Sequence, residues 1–207
     1  MADQEKKFII EIYRKKDPEQ LTAILADPDG KLELGSAAAL CGAEACALAL
    51  RSARIAKKGL DENEELDYIL RNTEKLRAYL VYLIDEDVKG RNILRRARKE
   101  GEAYKVEAAL HPAAAISDEV ICQMINLVEL MERFLPFLSK ENASCLGSAL
   151  ELALGSIRCA RQCVRELASQ SSDESYAFIV RRENELRAEE LRPRADRIRV
   201  AAEALLR

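Results

Sequence analysis

One carboxylate lies where a long amphipathic helix should be apolar. Between residues 63 and 99, apolar or small side chains recur at alternating spacings of four and three, at Ile69, Thr73, Leu76, Leu80 and Leu83. The same spacing continues to Asp87, Gly90 and Leu94, which indicates one stripe facing a core. A carboxylate there costs free energy unless it is paired or hydrated, and desolvation raises its pKa so that it can exchange protons with an amine or water. Asp87 is therefore a candidate catalytic residue, and the alternative is a structural partner of an arginine from a neighbouring helix.

Three small residues could accompany Asp87. A glycine inside a helix, such as Gly90, costs about 1 kcal/mol relative to alanine and marks either close backbone approach or room for a ligand. Gly35 and Ser36 precede an alanine-rich helix, whose free N–H groups and dipole favour an anion. Burial of that helix in the core is the simpler interpretation, and an anion site at its start is the functional alternative.

Metal and imidazole chemistry find little support in the sequence. His111 is the only histidine, which excludes mechanisms that need two imidazoles and histidine-rich metal sites. Cys159 and Cys163 could share a helix face, but no further His or Cys pair completes a zinc set. We predict six free thiols and no metal.

Composition restricts the class of protein. The chain has 207 residues, 48% hydrophobic, 33% charged and 5% aromatic, with 33 basic and 36 acidic side chains. A net charge of −3 provides no positive field for nucleic acid. The N-terminus shows no signal sequence, and the apolar stretch from Leu34 to Leu50 is too short for a membrane span. We expect a cytoplasmic protein that binds neither nucleic acid nor membrane.

Helix-favouring residues dominate and turn signals divide the chain. The pattern predicts helices at about 4–15, 18–25, 36–57, 63–99, 117–138, 143–169 and 173–190, and a last one from Pro193. The predicted fold is all-α, an antiparallel helical bundle with long central helices. We expect a single domain over 1–207, with 193–207 as an extra C-terminal helix.

The order of motifs resembles a known family. A Gly-Ser loop enters an alanine-rich helix, a long helix contains an Asp with a small residue three positions later, an Ala-Ala-x-x-Pro step follows, and a Lys-x-Asn precedes a second small-residue helix. Together these resemble the cyclodeaminase/methenyltetrahydrofolate cyclohydrolase family, which includes the C-terminal domain of formiminotransferase-cyclodeaminase. The resemblance spans about residues 5–190.

The match differs from the family pattern in three motifs. The family loop Pro-Gly-Gly-Gly-Ser corresponds to a stretch here that ends in Gly35-Ser36. Asp-Ala-x-Ala-Tyr aligns with Asp87-Val88-Lys89-Gly90-Arg91, and Lys-Gly-Asn followed by Ser-Asp aligns with Lys140-Glu141-Asn142 followed by Gly147-Ser148. The aspartate of the long helix is thus kept, while its aromatic residue and the second carboxylate are absent.

The resemblance implies an all-helical homodimer with a groove for reduced folate. It also implies that a tetrahydrofolate derivative is the substrate, with either loss of ammonia from a formimino group or hydrolysis of a methenyl bridge. Asp87 would be catalytic, Gly35, Ser36, Gly90 and Asn142 would bind substrate, and no metal would be required. The alternative is a non-catalytic helical homodimer that binds a folate-like ligand or a protein partner.

Overall fold

The computed structural model describes residues 12–60 and 62–207, and every regular element in them is helical. A short 3₁₀ helix, Tyr13–Lys15, is followed by α1 (Pro18–Ala26), α2 (Leu34–Lys57), α3 (Glu64–Glu100), α4 (Ala103–Phe134), a 3₁₀ turn (Leu135–Phe137), α5 (Ala143–Ala168) and α6 (Glu174–Leu206). The predicted all-α class is confirmed. Most of the predicted N-terminal helix lies outside the described residues.

Helix α2 is the buried centre of the bundle and runs antiparallel to α5. The Leu34 carbonyl at its start lies 3.4 Å from Cys159 Sγ, whereas Ser52 near its end donates to the Asn142 carbonyl at 3.1 Å. By length and composition α2 could cross a membrane, with a mean hydropathy of 1.3, but 56% of that window is buried inside the fold. Its apolar character is that of a core helix.

Helix α3 matches the prediction for 63–99 almost residue for residue. The Asn63 side chain caps it by accepting the Leu66 N–H at 2.9 Å, and Gly101 ends it with a left-handed φ of 75°, which glycine adopts without strain. The predicted stripe is buried at Ile69, Thr73, Leu80, Leu83, Asp87, Gly90 and Leu94, and Leu76 is half-buried. The spacing rule therefore placed Asp87 in the interior correctly.

Two prolines lie inside helices. Helix α4 begins at Ala103 rather than near 117 and passes through Pro112. Likewise α6 continues through Pro193, so the predicted helix 173–190 and the predicted extra helix 193–207 are one element. A proline removes one backbone hydrogen bond, and here buried residues on both sides hold the helix together, with Leu110 and Ala113 flanking Pro112 and Leu191 and Ala195 flanking Pro193.

Candidate functional site

Asp87 is buried at the point where α3 meets the start of α2. Only 1% of the residue is exposed. Its Oδ2 accepts the Ser36 backbone N–H at 2.8 Å and the Ser36 hydroxyl at 2.7 Å. Because the first N–H groups of a helix lack intrahelical partners, Asp87 acts as the N-terminal cap of α2 from a different helix.

The second carboxylate oxygen of Asp87 has a different environment. Oδ1 is buried and has no hydrogen-bond partner. A Cβ atom added at Gly35 would lie 2.1 Å from it, so the Asp87 carboxylate would have to move. Gly35 is thus required for the close approach of α2 to Asp87, and the approach leaves one carboxylate oxygen free to take a proton.

Several groups influence the ionisation of Asp87. Burial raises its pKa most strongly, and the nearby carboxylate of Glu33 adds to this increase. The hydrogen bonds from Ser36 and the positive charge of Arg91 act in the opposite direction, and the net result is a raised pKa. The protonated form of the carboxyl is therefore stabilised in the interior.

Arg91 lies one helical turn beyond Asp87 and is almost fully enclosed, with 4% of its side chain exposed. Its Nη1 contacts Glu33 at 3.1 Å, and its Nη2 contacts Glu166 at 3.4 Å and Cys163 Sγ at 2.8 Å. In the described part of the chain, Asp87 forms no ion pair with an arginine of a neighbouring helix. The arginine partner from a neighbouring helix, which was the structural alternative, is therefore not observed. Asp87 instead caps α2 and lies one turn from Arg91 of its own helix.

Four helices meet around this centre. Ser117 of α4 donates to Cys163 of α5 at 2.9 Å, and Ser117 Oγ would lie 2.8 Å from a Cβ at Gly35 of α2. Burial raises the pKa of the Cys163 thiol, while Arg91 lowers it. The polar groups near Asp87 thus come from α2, α3, α4 and α5.

The structure assigns Gly90 to helix packing. A Cβ there would lie 2.8 Å from Ile116 Cδ1 and 3.5 Å from Ala113 Cα. Of the two roles considered for this glycine, the geometry shows close backbone approach between α3 and α4. The role of Gly90 as a substrate contact stays a prediction.

Asn142 is not brought to Asp87 within the chain. Its side chain accepts the Ser139 N–H at 2.9 Å and donates to the Phe137 carbonyl at 3.1 Å, and its carbonyl accepts from Ser52. Ser52 follows Ser36 by 16 residues on α2, roughly 24 Å along the helix axis at about 1.5 Å per residue. Asn142 therefore organises the turn before α5 at the opposite end of α2.

Asp85 lies off the apolar stripe of α3, a position that favours solvent exposure, yet it is buried. The residue is 6% exposed and accepts the backbone N–H groups of Tyr13 at 2.8 Å and Arg14 at 3.2 Å. The Arg14 guanidinium also pairs with it at 3.3 Å. This role of Asp85 depends on the segment before α1, which packs on α3. The periodicity within α3 therefore does not predict it.

The ion network reaches the protein surface beside α6. Glu166, which contacts Arg91, lines a cavity of about 300 Å³ between α5 and α6 together with Arg165 and Arg181. In the described residues, no group of three His, Cys, Asp or Glu is placed to hold a metal ion, and the six cysteines are free.

The family model of formiminotransferase-cyclodeaminase matches residues 28–185, well over half of the chain. This chain belongs to that family. The matched segment includes Gly35, Ser36, Asp87 and Asn142, and it ends inside α6.

A solved structure has the same fold. It is the formiminotetrahydrofolate cyclodeaminase of Thermotoga maritima, with a TM-score of 0.85 and 22% sequence identity, and the match covers 93% of this chain and 98% of that one. At this identity the likeness establishes the architecture. The search of curated protein sequences finds no significant match.

Proposed function

We propose that this chain is a folate-dependent enzyme of one-carbon metabolism that acts on formimino- or methenyl-tetrahydrofolate. The family match over 28–185 supports the substrate class. The observation that supports catalysis is Asp87, a buried carboxylate whose pKa is raised and whose Oδ1 has no partner. A carboxyl group of this kind, with its protonated form stabilised and one oxygen unpartnered, can serve as a proton donor or acceptor.

Both candidate reactions use such a group. In cyclodeamination, an amine nitrogen of the folate attacks the formimino carbon and gives up its proton to the formimino nitrogen. Protonated Asp87 would supply the second proton that this nitrogen requires, and the carbon–nitrogen bond then breaks to release ammonia. In hydrolysis of a methenyl bridge, water attacks the same carbon and ionised Asp87 would accept its proton; one of the two carbon–nitrogen bonds of the bridge then breaks, the departing nitrogen takes up that proton, and a formyl group is left on the other nitrogen. Ser36 holds Oδ2 in either case, which leaves Oδ1 as the atom that exchanges the proton.

We also propose a cytoplasmic homodimer that binds neither nucleic acid nor membrane and needs no metal. The small-residue faces of α2 and α5 pack against each other within the chain, as the 2.7 Å bond from Ser156 Oγ to the Ala38 carbonyl shows. A dimer would therefore use other surfaces. Light scattering at micromolar concentration should give twice the 23.2 kDa of the monomer, and a monomeric mass would contradict the proposal.

The function is tested by following methenyltetrahydrofolate spectrophotometrically. Its appearance from formiminotetrahydrofolate supports cyclodeamination, and its accelerated disappearance in water supports hydrolysis. The non-catalytic alternative predicts neither. It predicts instead that tetrahydrofolate raises the melting temperature by mass action without any turnover. A protein that shows no turnover would overturn the proposed function, and one that also shows no thermal shift would exclude folate binding.

A further inference from the structure

One arginine of the fold is almost completely buried, and it divides its ion pairs between two carboxylates instead of pairing with one. Arg91 is 3% exposed, and its Nε has no hydrogen-bond partner. Burying a guanidinium costs free energy unless the surroundings compensate. The two carboxylates that face it, Glu33 and Glu166, are 30% and 46% exposed, so both could be satisfied by water without Arg91.

Arg91 is connected to Asp87 by charge and by structure. Its positive charge lowers the pKa of Asp87 against the effect of burial. Its Nη1 also holds Glu33, which lies three residues before Ser36. Because Ser36 donates both hydrogen bonds to Asp87, Arg91 fastens the segment that holds the carboxylate.

We propose that Arg91 is a positioning residue for Asp87: its buried guanidinium supplies a permanent positive charge one helical turn from the carboxylate and, through Glu33, holds the 33–36 segment that binds it. This inference rests on the proposed function only for its consequence in catalysis. The effect on Asp87 itself can be measured in the absence of any substrate.

The groups that face Asp87 define what else could shift its titration. They are Glu33 and Ser36 at the start of α2, Arg91 on α3, Ser117 on α4, and Cys159 and Cys163 on α5. Of these, only Arg91 has a permanent positive charge, since arginine does not deprotonate in proteins. Glu33 acts in the opposite sense because a second negative charge disfavours ionisation of Asp87.

The direct test is a carboxyl ¹³C NMR titration of aspartate-labelled protein, with the Asp87 signal assigned by its absence in Asp87→Asn. Arg91→Met removes the charge but keeps much of the side-chain volume, and it should move the titration of Asp87 to higher pH. Arg91→Lys keeps a charge and should leave the titration much closer to that of the unmodified chain. An unchanged Asp87 titration in Arg91→Met would overturn the proposal, as would an equal shift in both variants.

Two further variants separate this effect from general destabilisation. Arg187→Met removes a partly buried arginine of α6 that pairs with Asp118 at 2.7 Å, and it should not move the Asp87 titration. Glu33→Gln removes the like charge and should move the titration to lower pH, the reverse of Arg91→Met. If Arg91→Met does not fold, the other two variants still test the proposal. A shift of the Asp87 titration to higher pH in Glu33→Gln, or to lower pH in Arg91→Lys, would contradict it.

With substrate, the proposal predicts a pH-dependent loss of activity. If Asp87 acts as a base, kcat/KM of Arg91→Met should fall on the order of tenfold at the acidic end of the profile for each unit of displacement, and far less on the alkaline plateau. A uniform loss at all pH values would indicate a merely structural role. If the unmodified chain shows no folate turnover, the proposed function fails, whereas the NMR titration still tests Arg91.

Discussion

Replacing Asp87 by asparagine separates its two roles, as a cap of α2 and as a proton-exchanging group. The amide oxygen can accept the Ser36 N–H and hydroxyl in place of Oδ2, and the amide nitrogen then occupies the position of Oδ1, which has no partner. The two hydrogen bonds lose their charge assistance, about 1 kcal/mol each. Removal of a buried charge offsets this loss. We expect the free energy of unfolding to change by about 1 kcal/mol or less.

Alanine at the same position provides the contrasting case. Asp87→Ala leaves the buried Ser36 N–H without an acceptor, while the Ser36 hydroxyl still reaches the Ile84 carbonyl at 3.3 Å. Loss of the cap with an unsatisfied donor should cost about 2–4 kcal/mol. Turnover should fall roughly 100- to 10,000-fold in both variants, since a positioned general acid or base is lost. Asp87→Asn should therefore lose turnover while largely keeping its stability, whereas Asp87→Ala should lose both.

The assay is urea unfolding and initial rate on the same preparation, with Asp85→Asn as the matched control. Asp85 is also a buried aspartate of α3, but it caps the 3₁₀ helix at Tyr13 instead of α2, so its variant should lose stability and keep turnover per folded molecule. An Asp87→Asn protein that is destabilised and loses activity only in proportion to its unfolded fraction would show that Asp87 is a cap alone.

The same pair of proteins reports the ionisation of Asp87 through stability. Its pKa in the folded state is raised above the unfolded value, so the stability it contributes is fully present below the unfolded pKa and is lost as pH rises through the folded pKa. The stability of the unmodified chain relative to Asp87→Asn should therefore decrease with rising pH in that window. An increase would contradict the raised pKa.

Three further predictions concern the surroundings of the site. Gly35→Ala should lower the free energy of unfolding by about 1–3 kcal/mol and impair turnover, because its Cβ would lie 2.1 Å from Asp87 Oδ1. The control is Gly147→Ala, whose Cβ meets only Ala202 at 3.7 Å; it should be neutral or slightly stabilising in the same urea assay. Glu107, whose pKa is lowered to about 2 by hydrogen bonds from Ser171 and Ser172, should contribute stability above its ordinary pKa that is lost as pH falls towards 2, and Glu107→Gln should remove that part of the acid sensitivity. Asn142→Ala should cost about 1–3 kcal/mol through its two loop hydrogen bonds, with KM unchanged if it only organises the turn, and a raised KM in the folded variant would favour substrate binding.

The sequence predicted those features that follow from periodicity along one helix. The all-α class came from the dominance of helix-favouring residues, the bounds of α3 came from turn signals, and the burial of Asp87 came from the spacing of apolar residues. Features that depend on another element were missed or misplaced. Asp85 faces a segment that precedes α1, and Gly90 faces α4, so no pattern within α3 could distinguish their roles.

The two prolines show the same limit at the level of helix boundaries. Local propensity favours a break at Pro112 and Pro193, and packing of the flanking residues overrides it. Arg91 could have been noticed from sequence, because it lies four residues after Asp87 and therefore on the same face. Its contacts with Glu33, Glu166 and Cys163 required the three-dimensional arrangement.

The cap of α2 by Asp87 has a consequence for how this fold opens. In most helices the first amide hydrogens exchange with solvent by local fraying, since their acceptors lie within a few residues. The Ser36 amide instead donates to a residue 51 positions later in the chain, so it can exchange only when α2 and α3 separate. Its hydrogen-exchange rate therefore measures the opening of the α2–α3 interface, and a ligand that closes this interface should slow the exchange of that one amide more than that of its neighbours.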